Sequence, residues 1–413
     1  MTADQTQPWE PRYADRAKRM QASEIRELLK LLDQPGLISF AGGIPDPALF
    51  PLDDVRDAYQ TILADDAAAG KALQYSVSEG NAALRAWIVG HMTAKGIPCA
   101  PENILVTCGS QQGLEFLGRL FLSPRDTALV MAPTYLGALQ AFASNEPVYD
   151  ELQIENTNRT AASYEQAAVA EGGAVKFAYV VPDFANPTGI TLDVETRQSL
   201  LSLAEQLDIP VIEDSPYGAL RYGGDEVAAI QALDIAQCGS IDASRVIYCG
   251  SFSKVFTPGL RVGWVCAPRK IIERLTLIKQ ASDLNSPAIN QSVILYLAQH
   301  GFDQQIAKSR DHYRLKRDAM LRALKAHMPG GVSWSKPDGG FFIWVTLPED
   351  MDGAALLEKA VSDAHVAFVP GHAFFADHSG ANTMRLSFSL PDPATIERGI
   401  AALAAVIKAN IKS

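Results

Sequence analysis

An α/β fold is predicted for this chain, built on a mostly parallel sheet covered by helices, with a smaller α+β unit attached. Three observations carry that prediction. Five short apolar runs, "NILVTCGS" (103–110), "TALVMAPTY" (127–135), "KFAYVVPDFANP" (176–187), "IPVIEDSPY" (209–217) and "RVIYCGSFSK" (245–254), are mostly separated by helix-compatible stretches. The runs are near-continuously apolar, the pattern of strands buried on both faces. After about residue 300 the texture changes to a polar helix followed by turn-punctuated strands.

The elements can be justified in order. A helix is expected over about 22–33, followed by the loop "SFAGGIPDPALFP" (39–51). Residues 81–95 place Leu84, Trp87, Ile88, His91 and Met92 on one helical face, and Gly96 with Pro98 ends the element. The five strand-like runs follow, and a sixth apolar run, Val262–Val265, begins eight residues after Lys254. A polar helix over about 303–327 leads to Pro337-Asp338-Gly339-Gly340, a strong turn signal ahead of a strand. "HVAFVPG" and "NTMRLSFSL" precede a last helix capped by Asp392 with Pro393 in its first turn, its apolar face formed by Ile396, Ile400, Leu403 and Ile407. The expected organisation is a segment over 1–65 that packs on the smaller domain or over the site, a large domain over 66–300, and a small domain over 301–413.

At 413 residues the chain is long enough for two domains or one large domain with an appendage, and 47% hydrophobic with 20% charged residues describes a globular protein. With 36 basic and 47 acidic residues the net charge is −11, which opposes general binding to nucleic acid or an anionic membrane and leaves small molecules as the expected ligands. The five cysteines, Cys99, Cys108, Cys238, Cys249 and Cys266, form neither a CxxC pair nor a metal spacing; the odd count fits a reducing cytoplasm better than a disulfide framework. The N-terminus lacks a signal-peptide core, no apolar run approaches a membrane span, and the histidines show no ligand pattern.

Each apolar run ends in polar, glycine or proline residues: Gly109-Ser110-Gln111, Pro133-Thr134-Tyr135, Asn186-Pro187-Thr188-Gly189, Asp214-Ser215-Pro216-Tyr217 and Ser251-Phe252-Ser253-Lys254. Ligands of open α/β sheets bind outside the carboxyl ends of the strands, so these ends are expected to converge on one site. Lys254 suits a Schiff-base former whose pKa is lowered by desolvation or by the nearby cation Arg261. Arg261 also suits a phosphate, joined by Ser251, Ser253 and the N–H groups of a helix opening near Gly109-Ser110. A phosphate and an aldehyde on one ligand suggest pyridoxal 5′-phosphate. Asp214, at the end of a buried strand, is the candidate partner of its pyridinium nitrogen. Asn186 and Tyr217 suit the ring oxygen, and Tyr135 the ring face. Taken singly, Lys254 is a surface charge, Asp214 serves equally as a cap, Asn186 before Pro187 as a turn former, and the tyrosines as core residues; their joint occurrence at strand ends favours the site.

The motifs "NPTG" (186–189), "EDSPY" (213–217) and "SFSKVFTPGLRVGW" (251–264) resemble the class I/II aminotransferases of the fold-type-I pyridoxal-phosphate enzymes. "QYSVSEGNAALRAWI" (74–88), "GSQQGLEF" (109–116), "PDGGFFIWV" (337–345) and "MRLSFS" (384–389) extend the likeness in order over nearly the whole chain. The resemblance implies a large domain with a mostly parallel seven-stranded sheet, Lys254 as covalent anchor and proton shuttle, Asp214 on the pyridine nitrogen, and Asn186 with Tyr217 on the ring oxygen. It further implies that Ser110 and Gln111, with Ser251, Ser253 and Arg261, cradle the phosphate, and that Tyr75 reaches the phosphate of a neighbouring subunit in a homodimer with shared sites. Arg385 would bind the substrate α-carboxylate and Gly43 lie beside it. "SEIRELL" and "ISFAGGIPDPALFP" are similar to the subgroup of 2-aminoadipate, kynurenine, aromatic and branched-chain aminotransferases, in which Arg26 would approach a distal carboxylate; by its residues alone Arg26 equally suits a solvated helix face.

The expected activity is a ping-pong transfer of an amino group from an L-amino acid to a 2-oxo acid, 2-oxoglutarate or pyruvate. A lyase or decarboxylase on the same site is the alternative. An aminotransferase-like transcription regulator ranks lower, since the likeness starts near residue 23 and leaves no room ahead of it for a DNA-binding module.

Overall fold

The computed structural model describes residues 9–18, 36–153 and 159–411. The expected helix at 22–33, and Arg26 with it, lies outside the described residues. The strands in chain order are β1 (Ile38–Ser39), β2 (Ile104–Thr107), β3 (Thr127–Val130), β4 (Val148–Glu151), β5 (Val175–Val180), β6 (Val211–Asp214), β7 (Val246–Ser251), β8 (Gly263–Cys266), β9 (Ser333–Trp334), β10 (Phe342–Thr346), β11 (Val366–Ala367), β12 (Val369–Pro370) and β13 (Thr383–Ser387).

Seven of them form one sheet in the order β2-β8-β7-β6-β5-β3-β4. The pairs from β7 through β4 are parallel, and β8 runs antiparallel to both β2 and β7. Alternate residues of one strand enter different cores: Phe177 and Tyr179 join one cluster, Ala178 and Val180 another. Both faces are therefore covered, as near-continuous apolar runs require. One strand departs from the sequence expectation. β4, "VYDE", is a half-exposed edge strand, and its mixed polarity carries no signal of a doubly buried strand.

A second, antiparallel sheet has the order β12-β13-β10-β9, and β1 pairs in parallel with β11. Four helices matter for the site: α1 (Ser110–Phe121), α2 (Arg269–Ser282), α3 (Ala288–His327) and α4 (Pro393–Asn410). The helix expected at 303–327 is the second half of α3, which starts earlier and is interrupted only at Gly301 (φ −156°, ψ 17°). Asp392 caps α4 by accepting from the Thr395 N–H, and Ile396, Ile400, Leu403 and Ile407 are buried on it. In the helix Ala82–Ala94, Leu84, Ile88 and Met92 are buried; Trp87 and His91 stack at 5.3 Å on its half-buried flank.

This topology decides where the polar strand ends go. Parallel strands carry their carboxyl ends to one edge, so the segments after β3, β5, β6 and β7 emerge together. The antiparallel β8 starts at that edge, with Gly263 opposite both Ser251 and Thr107, so the segment ahead of it delivers Arg261 there and β2 delivers Gly109-Ser110.

Candidate active site

At that edge lies a cavity of about 550 Å³ whose wall takes in Gly43, Ser110, Gln111, Tyr135, Asn186, Asp214, Tyr217, Ser251, Ser253, Lys254, Arg261 and Arg385. Gly109 stands just behind it as the N-cap of α1. Tyr75 lies elsewhere, 80% exposed, in a separate open groove of about 1070 Å³ together with Leu295 and Tyr296.

Lys254 donates from Nζ to the Gly43 carbonyl at 3.3 Å and stands 5.7 Å from the Tyr217 ring centroid. Its pKa falls to about 8, because burial penalises the ammonium and Arg261 and Arg385 repel it, against the pull of Asp214. At pH 7 roughly a tenth of such a lysine is free amine, against less than about a thousandth of an ordinary one.

Asp214 is 1% exposed. Burial pushes its pKa up to about 7, opposed by the hydrogen bond from Tyr179 and by the charge of Lys254. Tyr179 OH donates to Oδ2 at 2.9 Å, and Oδ1 is buried without a hydrogen-bond partner among the described residues. A buried, half-ionised carboxylate with one unmet oxygen calls for a cationic N–H donor. Tyr179 was not singled out from the sequence. The available signal is parity: it stands in register with Ile212, two residues before Asp214, so both side chains face the same side of the sheet.

The turn before α1 is shaped around Arg261. Gly109 has φ 75°, and a Cβ there would collide with the Arg261 guanidinium. Arg261 itself is left-handed (φ 53°), and it donates to the Cys108 carbonyl at 3.2 Å and to Ser253 Oγ at 3.4 Å. Ser253 N–H donates to Ser251 Oγ at 3.2 Å. Hydroxyls, an exposed guanidinium and a helix N-terminus thus share one end of the cavity, a donor set suited to a phosphate. Behind it, the buried Lys279 of α2 bonds Asp283, Gln112 and Ser286, and Gln112 accepts the Cys108 N–H.

Arg385, 2% exposed on β13, has no carboxylate partner among the described residues. It donates to Asn186 Oδ1 and to the Ala41 carbonyl, both at 2.7 Å, while Nε is buried without a partner among those residues. The guanidinium lies 4.3 Å from the Phe342 ring centroid. Burial lowers its pKa to about 10, which leaves it charged. Tyr135 OH donates to Gln111 Oε1 at 3.4 Å and its pKa is pushed up to about 12 by burial and by Asp214, against Arg385 and Arg261. The Tyr217 hydroxyl is likewise held above its ordinary pKa by burial. Both remain neutral donors at pH 7.

These features fit pyridoxal 5′-phosphate: a lysine with accessible free amine, an unmet buried carboxylate oxygen, and a cationic cradle on one wall. Fold and site together define a phosphate-cradling, lysine-centred α/β enzyme. Residues 36–403 match the family model for aminotransferase class I and II. The chain belongs to that family, and it is a pyridoxal-phosphate-dependent aminotransferase. It is 42% identical to the aromatic-amino-acid aminotransferase 1 of Thermococcus litoralis, covering 98% of this chain and 96% of that one. Its structure is similar to that of a Pyrococcus horikoshii kynurenine aminotransferase solved with PMP (TM-score 0.89, 41% identity, 98% of each chain). It is also similar to the alpha-aminoadipate aminotransferase of Thermus thermophilus solved with N-(5′-phosphopyridoxyl)-L-leucine (TM-score 0.86, 36% identity, 98% and 99% covered). These relatives do not favour the lyase, decarboxylase or regulator alternatives. Among the described residues no helix is long and apolar enough to cross a membrane, and no group of three or more His, Cys, Asp or Glu could hold a metal ion.

Proposed function

We propose that this aminotransferase takes aromatic and aminoadipate-like L-amino acids as donors, with branched-chain ones as further substrates, and returns the nitrogen to 2-oxoglutarate or pyruvate. The observation that carries the assignment of roles is the convergence in one cavity of Lys254, the unmet Asp214 Oδ1 and an Arg385 that has no carboxylate partner among the described residues. The relatives named for aromatic amino acids, kynurenine and alpha-aminoadipate support the donor range.

When bound, the cofactor supplies an aldehyde that takes up the amino nitrogen and a ring that accepts the electron pair released at the substrate Cα. Lys254 would hold the cofactor covalently at rest and, freed as an amine, would carry the proton between the substrate Cα and the cofactor's C4′. Asp214 would pair the pyridine nitrogen. Asn186 and Tyr217 would serve the ring oxygen, and Tyr135 the ring face. Ser251, Ser253, Arg261 and the N–H groups at Ser110 and Gln111 hold the phosphate. Arg385 receives the α-carboxylate with its fork of donors, beside Gly43, and so sets the direction of the Cα–H bond. Arg26 is assigned to the distal carboxylate of dicarboxylic donors.

The assembly proposed is a homodimer in which Tyr75 of a second copy completes the phosphate site. The open groove around Tyr75, with exposed Leu73 and Val77, suits a protein partner. A cytoplasmic location fits the five free cysteines.

The test is a half-reaction screen that follows the absorbance of the lysine-bound cofactor with aromatic, acidic and aliphatic amino acids, then adds 2-oxo acids. Acceptor-dependent formation of the donor's keto acid is expected; its absence with every pair rejects the proposed substrates. In Arg26→Ala, loss of the dicarboxylic donors alone is expected, and equal loss of all donors rejects its role.

A further inference from the structure

Asp46 and Lys316 lie outside the cavity wall and none of the roles above uses them. The chain from Ala41 to Asp46 crosses the cavity, where the Ala41 carbonyl takes the Arg385 guanidinium and the Gly43 carbonyl takes Lys254 Nζ. This crossing is tight, because a Cβ on Gly43 would come within 2.5 Å of Phe342, the ring on which Arg385 stacks. Three residues beyond Gly43 the segment is anchored.

Asp46 Oδ1 accepts the Ala48 N–H at 3.0 Å, and its own N–H donates to Tyr313 OH at 2.9 Å. Oδ2 meets two groups of α3, Lys316 Nζ at 2.6 Å and His312 Nε2 at 2.8 Å. Burial would raise the Asp46 carboxyl; hydrogen bonds from Lys316, the Ala48 N–H and His312 outweigh it and hold the group below the ordinary aspartate pKa. The Lys316 side chain is 5% exposed, and its other two bonds go to the carbonyls of Ser389 and Leu390, both at 2.9 Å. Those two residues follow β13, four and five positions after Arg385. Between the anchors, the Ser387 N–H of β13 donates to the Phe40 carbonyl at 2.8 Å.

One ammonium group thus spends all three donors on the two chain segments that hold Arg385. Removing an ion pair of this kind from solvent is costly, and such pairs bring little net stability. What this one supplies is a fixed relation between segments far apart in sequence.

We propose that Lys316 is a positioning residue for the carboxylate subsite: through Asp46 it fixes the Ala41 and Gly43 carbonyls, through Ser389 and Leu390 the end of β13, and so the direction in which Arg385 presents its guanidinium. The inference rests on the reading that Arg385 receives the substrate carboxylate. Its consequence is specific, because the carboxylate is common to donor and acceptor whereas the phosphate cradle lies on other elements.

The holoenzyme variants Lys316→Met, Asp46→Asn and the double variant test it. The dissociation constants of two unreactive carboxylates, 3-phenylpropionate and glutarate, are read from the perturbation of the cofactor absorbance, alongside KM, kcat and the cofactor dissociation constant. In Lys316→Met the carboxylate constants and KM are expected to rise about tenfold to a hundredfold, the scale of a displaced binding group. The cofactor constant and resting absorbance stay unchanged. Because Asp46 acts through its contact with Lys316, which the Lys316 variant already removes, the double variant is expected to be no worse than the poorer single one. Unchanged carboxylate affinity, or equal loss of cofactor and carboxylate binding, overturns the proposal. Should Lys316→Met not accumulate, Asp46→Asn decides alone, since it keeps the Ala48 bond: a rise of about threefold or more supports the role, and none rejects it. Arg385→Lys separates the two layers. If it leaves carboxylate affinity intact, the underlying reading of Arg385 fails; if it weakens binding while Lys316→Met does not, only the positioning role fails.

Discussion

The bond from Tyr179 to Asp214 offers a quantitative test. Tyr179→Phe removes a hydroxyl that donates at 2.9 Å to a carboxylate buried to 1% exposure, and keeps the ring that packs in the core. A hydrogen bond to a charged acceptor is worth about 1.5–3 kcal/mol, and 1.36 kcal/mol corresponds to one pKa unit, so the change is about one to two units. The direction is upward from about 7, because the phenol favours the ionised form against burial. The ionised fraction at pH 7 then falls from about a half to about a tenth or less. Carboxyl titration of the cofactor-free protein, labelled at aspartate and followed by carbon NMR, reads the midpoint directly.

Stability follows with a definite sign. A carboxyl whose folded pKa lies above its unfolded value contributes fully at low pH, and the cofactor-free fold loses that contribution as pH rises from about 4 to about 7. In Tyr179→Phe the loss continues to higher pH. Cofactor affinity at pH 7 is expected to drop about fivefold or more, since only the ionised carboxylate pairs a pyridinium nitrogen. A titration midpoint that stays at about 7 in the variant refutes the reasoning.

Three other perturbations bear on the site. Arg261→Met removes a charge that lowers Lys254, so the Lys254 pKa should rise from about 8 toward its ordinary value, read from the pH dependence of its modification in cofactor-free protein; cofactor affinity should fall with it. Gly109→Ala forces a Cβ into the Arg261 guanidinium at a left-handed backbone position, and should cost about 1–3 kcal/mol in denaturant unfolding together with weaker cofactor binding. With Arg385 in its proposed role, Arg385→Gln takes the cation from the substrate carboxylate, and kcat/KM should fall by about a hundredfold or more with the cofactor absorbance retained.

Much of this protein could be read in one dimension. Runs such as "VIYCGS" and "VIED" report strands buried on both faces, because a strand with helices on each side has no solvent face to fill with polar residues. The residues assigned to the site stand at strand ends, so Lys254, Asp214 and Asn186 are visible as polar breaks after apolar runs, and Arg261 as a cation just ahead of one. The tertiary structure alone decided which groups meet. Strand order brings Tyr179 against Asp214, 35 residues on, and chain reversal brings the Ala41 carbonyl to Arg385, 344 residues away. Local composition cannot encode such meetings, since a tyrosine in a buried strand looks the same whether its hydroxyl tunes a carboxylate or merely finds a carbonyl. The same holds for Lys316, which reads as one more charge on a polar helix. The role proposed for it rests on packing that closes water out and leaves Asp46 and two carbonyls as its partners.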